Sequence, residues 1–320
     1  MSHSFTPSDL TITVPCKDAQ ATVGTTLNSM RPHMKDGGKC ILIDDGSTDK
    51  TLSILKAFAE EWPGAEVISL DEGKGAGNAR NLGISKTDTA LWGTLDADDW
   101  VHRDYYQTQI KLFNRIDDLD FVRTGFIEVK GPERTIRTAP FGVWNKPFDP
   151  KLGIMPEDRS TLVDQDQSWS GLYSTDFLKK NGIMYDNLAT CEDKILCWKI
   201  QVLGRKMAVS PECRIFYRRG NVNSLTQIGD MRQLDFLESM KNIYNFLLDQ
   251  GHQELFPKLI RRILSLICFH IGKKDRLQPE VKEELIRKSS CLLNLLPQTE
   301  IEEALSRIDK KRRDLIKGIM

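Results

Sequence analysis

Four short apolar runs in the first hundred residues constrain the fold most: Thr11–Val14, Cys40–Ile43, Val67–Leu70 and Thr89–Leu95. Between them lie polar turns and stretches with apolar residues at helical spacing. Val23, Leu27 and Met30 form one stripe, Leu52, Leu55 and Phe58 a second, and Ala79 to Ile84 a third. Strands alternating with crossover helices make a parallel sheet, so the pattern predicts an α/β fold with a Rossmann-type sheet. In such a sheet the strands end on one edge, and that edge forms the binding crevice.

From Asp120 to Tyr217 the pattern is mixed. Strands are expected at Phe121–Arg123 and Ile215–Tyr217, a helix at Cys191–Leu203, and a Pro/Asp-rich connection at Pro140–Asp158. Beyond Asp230 the apolar stripes are helical throughout, through Leu234, Leu237, Ile243 and Leu247, then Leu259, Ile263, Leu266 and Ile267, then Ile301, Leu305 and Ile308. The chain of 320 residues therefore divides into a sheet domain, 1–228, and a C-terminal helical subdomain, 229–320. Lysines plus arginines and aspartates plus glutamates both number 45, which removes the basic footprint of a nucleic-acid binder. The seven cysteines form no C-x-x-C pair and have no histidine at ligand spacing, so reduced, mostly buried thiols are expected. With a polar N-terminus and no run long enough to span a bilayer, the sequence predicts a cytoplasmic protein.

Several polar segments converge on the strand-end edge. Asp96 and Asp98, in Leu95-Asp96-Ala97-Asp98-Asp99, stand one residue apart after a strand, a hard oxygen site suited to Mg²⁺ or Mn²⁺ on a diphosphate. Val14-Pro15-Cys16-Lys17-Asp18 breaks the first strand at a proline. Asp44-Asp45-Gly46-Ser47-Thr48-Asp49 offers acceptors for a nucleobase or ribose, and Ser47 or Thr48 could equally cap the next helix. Gly73-Lys74-Gly75-Ala76-Gly77 is a glycine-rich turn entering a helix, suited to phosphate approach. It is not the dinucleotide fingerprint, because the last glycine position falls on Asn78 or Arg80. Arg80 reads as a cation for a diphosphate or a partner for the nearby aspartates. Glu192 and Asp193 open a helix, where acids complement the macrodipole and where a carboxylate could serve as general base. Tyr217-Arg218-Arg219 begins an arginine-bearing polar segment running to Thr226 that reads as a mobile lid.

Taken in order, Val14-Pro15, Asp44-Asp45-Gly46-Ser47, Ala79-Arg80-Asn81-x-Gly83, Asp96-Ala97-Asp98-Asp99, Glu192-Asp193 and Tyr217-Arg218-Arg219-x-x-x-x-Ser224 resemble the family 2 glycosyltransferases of GT-A fold, especially enzymes of bacterial envelope polysaccharide assembly. The resemblance covers residues 10 to 226. It implies that Pro15 and Asp45 contact the nucleobase, that Arg80 and Asp96 hold the nucleoside diphosphate, and that Glu192 lies in the substrate site. It further implies Asp98 as the ligand of Mn²⁺ or Mg²⁺, Asp193 as catalytic base, and Arg218, Arg219 and Ser224 as the segment closing over the diphosphate. The implied partners are a nucleoside diphosphate sugar, by default a UDP-sugar, and a saccharide or lipid-linked saccharide acceptor. Lys17 and Asp18 depart from the family, which often has an aromatic residue and then asparagine there. Two other readings stay open: a non-catalytic nucleotide-sugar-binding partner of an assembly complex, and a sugar nucleotidyltransferase, which would use a similar sheet and metal but usually has a glycine-rich loop after the first strand, where Pro15 to Gln20 has no glycine. In residues 229–320, the basic amphipathic stretch Phe256–Lys274 with Lys310-Lys311-Arg312-Arg313 fits either peripheral contact with the inner face of the membrane or packing within the chain or a homo-oligomer.

Overall fold

A computed structural model describes residues 4–220, 228–273 and 276–320. The first half is the expected alternation: β1 (Leu10–Cys16), α1 (Val23–Lys35), β2 (Lys39–Asp44), α2 (Thr51–Glu61), β3 (Ala65–Ser69), α3 (Ala76–Lys86) and β4 (Leu91–Thr94). β1 pairs in parallel with β2 on one side and β4 on the other, and β2 pairs in parallel with β3. The chain thus winds outward to β3, and α3 carries it back across to β4. That reversal beside β1 opens the crevice at the ends of β1 and β4.

The strand period decides what each face buries. Leu10, Ile12 and Val14 point into one core with Val23, Leu27 and Met30 of α1 and Leu55 and Phe58 of α2. Ile41 and Ile43 of β2 pack on the opposite face with Ala79 of α3. On that face Gly83 of α3 lies so close to Thr13 that a Cβ would clash with its side chain, and Trp92 Nε1 donates to Thr13 Oγ1 at 2.9 Å. α3 therefore lies tight against the sheet.

The remaining strands complete two sheets. After β5 (Trp100–Val101) and α4 (Tyr105–Arg115) come β6 (Phe121–Thr124), β7 (Phe126–Lys130), β8 (Glu133–Arg137) and β9 (Pro147–Phe148). Then follow β10 (Gly171–Ser174), α5 (Thr175–Lys180), α6 (Lys194–Leu203), β11 (Met207–Ser210) and β12 (Ile215–Arg218). The main sheet has the order β3-β2-β1-β4-β10-β6-β11-β9, and a second sheet has the order β5-β12-β7-β8. β10 enters antiparallel between β4 and β6, so the main sheet is mixed. The helix expected at Cys191–Leu203 starts at Lys194 instead, because Cys191 adopts a left-handed backbone, φ 62°.

The C-terminal helices are α7 (Asp235–Asp249), α8 (Phe256–Gly272), α9 (Pro279–Leu295), α10 (Gln298–Ser306) and α11 (Lys310–Lys317). Their core takes in Ile195, Trp198 and Val202 of α6 and Ile154 and Val163 of the preceding connection, so the helices are built onto the sheet domain. The amphipathic stretch has its apolar stripe inside: Leu259, Ile260, Ile263, Leu264 and Ile267 are buried. Its basic flank also turns inward. Lys258 donates to Arg159 O at 2.8 Å and Asp164 Oδ2 at 2.5 Å, Arg261 to Glu157 O at 2.7 Å, and Arg262 to Asp166 Oδ2 at 3.1 Å. Packing within the chain accounts for that flank, while Lys273 and Lys310 to Arg312 stay exposed and Lys274 lies outside the described residues. No helix among the described residues is long and apolar enough to cross a membrane. The thiols are all free, but Cys16, Cys40 and Cys197 alone are fully buried, fewer than expected, because Cys191, Cys213, Cys268 and Cys291 fall in loops or on outward helix faces.

Candidate active site

The turns after β1 and β2 are knitted together by side chains. Asp18 has a left-handed backbone, φ 46°, with its N–H donating to Ser47 Oγ at 3.0 Å and its carboxylate accepting from Thr48 N–H at 2.8 Å. Ser47 and Thr48 thus serve the neighbouring turn rather than capping α2, and Asp49 Oδ1 accepts from Thr51 N–H at 2.8 Å in their place. Lys17 Nζ donates to the carbonyl of Gly46. Buried Asp45 donates its own N–H to Cys16 O at 2.8 Å, and its carboxylate accepts from Lys74 N–H at 2.7 Å and Gly75 N–H at 2.9 Å. Asp45 therefore shapes the glycine-rich turn, and each oxygen keeps a further lone pair. Pro15, paired in register with Ile43, lies at this end of β1.

Because Lys17 stands where an aromatic residue would offer a flat face, its work here is to tie one turn to the other. Lys17→Ala is expected to weaken binding of a nucleoside diphosphate by about 3- to 10-fold, the value of one charge-assisted hydrogen bond at an exposed site. Titration calorimetry checks this, and unchanged affinity would leave Lys17 with no part in the pocket.

Gly77 of the third segment serves the packing of α3. A Cβ on Gly77 would meet Asp186 O at 2.6 Å and Glu192 Cβ at 3.1 Å, so this position lets α3 abut the loop that precedes α6. Asn81 makes a two-way pair with the same loop, donating to Tyr185 O at 3.0 Å and accepting from Tyr185 N–H at 2.8 Å. An asparagine inside a helix, where it is a poor former, was the available signal for that contact.

Arg80 joins the two acidic segments. Only 5% exposed, it donates from Nη1 to Glu192 Oε1 at 2.7 Å and from Nη2 to Asp96 Oδ1 at 2.7 Å, with its guanidinium 5.3 Å from the centre of the Tyr185 ring. The structure thus places it as partner to the carboxylates, the second of its two sequence readings. It bolts the end of β4 to the start of α6.

Beyond Asp96, the carboxylates of Asp96, Asp98 and Asp99 bring one oxygen each within 4.8 Å of one another. Burial, and then the charge of Asp96, pushes the Asp98 carboxyl up to about 6. Asp99 is fully buried; its Oδ1 accepts from Arg218 N–H at 2.7 Å, while Oδ2 has no hydrogen-bond partner. Three crowded carboxylates with an unpartnered buried oxygen match the all-oxygen donor set of a hard divalent cation. Sequence reasoning had singled out Asp98 and left Asp99 without a role.

Asp193 precedes the first turn of α6 but caps nothing with its side chain. Burial, and then the neighbouring Glu192 carboxylate, pushes its carboxyl up to about 8, against the opposing pull of Lys194. Lys194 itself is paired with Asp166, which also takes Arg262. A carboxyl without hydrogen bonds to its charged form, in a poorly solvated position, holds a proton strongly.

The arginine segment begins where β12 reaches this cluster. Arg218 Nε donates to Asp98 O at 2.8 Å, and its guanidinium lies 4.9 Å from the centre of the Trp100 ring, itself stacked on Phe216. Arg219 donates to Tyr217 Oη at 3.1 Å and, through its N–H, to Val129 O at 2.7 Å. Arg218 is thus seated beside the acidic motif, and Arg219 on the second sheet next to it. Ser224 and the rest of the expected lid, residues 221–226, lie outside the described residues.

Over 185 residues the chain is 28% identical to the uncharacterized glycosyltransferase YibD of Escherichia coli K12, covering 55% of this chain and 51% of that one. Over 233 residues it is 24% identical to the succinoglycan biosynthesis protein ExoO of Rhizobium meliloti, covering 69% and 64%. The chain thus spans about half to two thirds of the length of these relatives. Among solved structures, residues 1–349 of Staphylococcus aureus TarS in complex with UDP-GlcNAc match with a TM-score of 0.76 at 18% identity, over 97% of this chain and 86% of that one. That match shows the fold. Residues 11–171 match the family described as glycosyl transferase family 2, from the first strand past the acidic motif to the start of β10, and the chain belongs to that family.

Proposed function

We propose that the chain is a metal-dependent, inverting glycosyltransferase that moves a sugar from a nucleoside diphosphate sugar, by preference a UDP-sugar, to a hydroxyl of a saccharide or lipid-linked saccharide. The observation that carries the proposal is the Arg80 bridge, which fixes Glu192, next in sequence to the proton-holding Asp193, against the Asp96 to Asp99 cluster. A base and a diphosphate site held at fixed separation suit displacement at an anomeric carbon. Asp193, in its charged form, removes the proton of the acceptor hydroxyl as that oxygen attacks from the face opposite the diphosphate, which inverts the anomeric configuration. Lys17, Gly46 and Asp45 frame the nucleobase end of the crevice, and Arg218 and Arg219 bring positive charge beside the diphosphate end. Held by Asp98 with Asp96 and Asp99, Mn²⁺ or Mg²⁺ would supply charge that stabilises the diphosphate leaving group. The UDP-GlcNAc bound to TarS supports a uridine donor, and the pathway of ExoO supports a cell-envelope polysaccharide as product.

The test is to incubate the full chain with a panel of UDP-, GDP- and dTDP-sugars and Mn²⁺, and to follow released diphosphate and the anomeric configuration of the freed sugar by proton NMR before it mutarotates. Hydrolysis with inversion is expected. Retention of configuration would overturn the single-displacement mechanism, and no turnover of any donor would favour a non-catalytic binding partner. Asp98→Ala is expected to abolish the response of turnover to Mn²⁺, and an unchanged response would place the metal ligand elsewhere.

A further inference from the structure

We infer that α7 of the C-terminal helical unit completes the active site by holding the loop that carries Asp193, with Asp235 as a positioning residue; this rests on the reading of Asp193 as base. The loop from Asp186 to Asp193 is neither strand nor helix and contains the left-handed Cys191, φ 62°. A side chain in that region is strained and persists only where the surroundings impose it. The surroundings here are two helices from opposite ends of the chain.

On one side α3 meets the loop through Arg80, Asn81 and the bare backbone of Gly77, as described above. On the other side α7 meets it through a ladder of polar groups. Asp235 Oδ2 accepts from both Ala189 N–H at 2.9 Å and Thr190 N–H at 3.0 Å. One turn on, Ser239 Oγ donates to the carbonyl of the left-handed Cys191 at 3.1 Å. Almost another turn on, Asn242 Nδ2 donates to Asp186 Oδ2 at 3.1 Å. Thr190 Oγ1 adds a bond to Arg232 O, just before α7, at 2.7 Å. Residues 235, 239 and 242 share one face of the helix, spaced at i, i+4 and i+7. The adjoining face of α7 carries Phe236, Met240, Ile243 and Leu247 into the helical core, so the polar stripe beside it has a fixed orientation. The helical unit is thereby a working part of the catalytic site, since it sets where the base stands relative to the diphosphate cluster.

Because an error of about 1 Å in such a placement can cost about 10²-fold in rate, the loss should appear in kcat rather than in donor binding. The experiment uses the full chain, Mn²⁺ and the nucleotide sugar that the wild type hydrolyses fastest, with UDP affinity measured in parallel. Asp235→Ala is expected to lower kcat about 10- to 100-fold with the dissociation constant for UDP within about 2-fold. Asp235→Asn should recover most of the loss, because the amide oxygen still accepts from both N–H groups. Unchanged kcat in Asp235→Ala, or an asparagine variant no better than alanine, would overturn the role. Should Asp235→Ala fail to fold, Ser239→Ala removes one bond alone and is expected to lower kcat with UDP affinity retained; parallel losses of both, or no loss, would overturn it. Asp193→Asn serves as control. Full turnover in that control would sink the base assignment itself, whereas its collapse alongside a fully active Asp235→Ala would sink the positioning role only.

Discussion

Asp193→Asn should bind nucleoside diphosphate as the wild type does and turn over about 10²–10⁴-fold more slowly, the usual loss on removing a general base. The amide keeps the shape of the carboxylate and has no lone pair basic enough to take the acceptor proton. The pH profile gives the same claim a second readout. Burial, and then the adjacent Glu192, push the Asp193 carboxyl up to about 8, so only its ionised fraction, which grows with pH, can act as base. Wild-type kcat should therefore rise with pH, about tenfold per unit below that value, and level off above it. Asp193→Asn should lose that limb. A variant with near-normal turnover, or a wild-type profile flat from pH 6 to 9, would remove Asp193 from the mechanism.

Arg80→Ala should be the most destabilising single change in the crevice. The guanidinium is buried between two carboxylates, each 2.7 Å away, whose side chains are 25% exposed for Asp96 and 13% for Glu192. Removing it leaves like charges facing one another in a poorly solvated place and strips the neighbouring Tyr185 ring of its cation. Breaking one side of a buried pair costs about 3–5 kcal/mol, and the residual solvent access of Asp96 argues for the lower end, about 3 kcal/mol. Arg80→Lys should lie between, since one ammonium cannot hold both carboxylates in the fork that a guanidinium provides. Urea unfolding checks both variants. A loss under about 1 kcal/mol for Arg80→Ala would mean that the bridge is worth no more than a surface pair.

The parts of the molecule legible in the sequence are those with strong periodicity. β1 to β4 and α1 to α3 follow from alternating apolar runs, and α7, α8 and α10 from helical stripes, whereas α9 and α11 are legible only as part of a helical C-terminal region. What escaped was short or depended on contacts between distant segments. β9, at the edge of the main sheet, has two residues; in the second sheet β5 also has two and β8 is Glu-Arg-Thr-Ile-Arg with every side chain exposed, so these strands left little pattern to read. α6 begins late because Cys191 is left-handed, which no propensity announces. In the site, residue types and order pointed to Asp45, Arg80, Asp96, Asp98 and Asp193, yet their partners lay beyond reach. That both oxygens of Asp45 take the backbone of the glycine-rich turn, and that Arg80 reaches 112 residues ahead to Glu192, are facts of the folded chain. The basic flank of α8 left two readings open for the same reason: its charges turn to Asp164, Asp166 and the Glu157 carbonyl, contacts that lie across the structure.

The crevice at the ends of β1 and β4 is most directly tested by titrating UDP, GDP and dTDP calorimetrically into the full chain, with and without Mn²⁺. At least one nucleotide, UDP first, should bind about tenfold or more tightly with Mn²⁺ present, a gain of about 1.4 kcal/mol, and Asp98→Ala should erase that gain while the protein stays folded. No binding of any of the three in the presence of Mn²⁺, or a gain that survives in Asp98→Ala, would contradict a metal-assisted nucleotide-sugar site at this edge of the sheet.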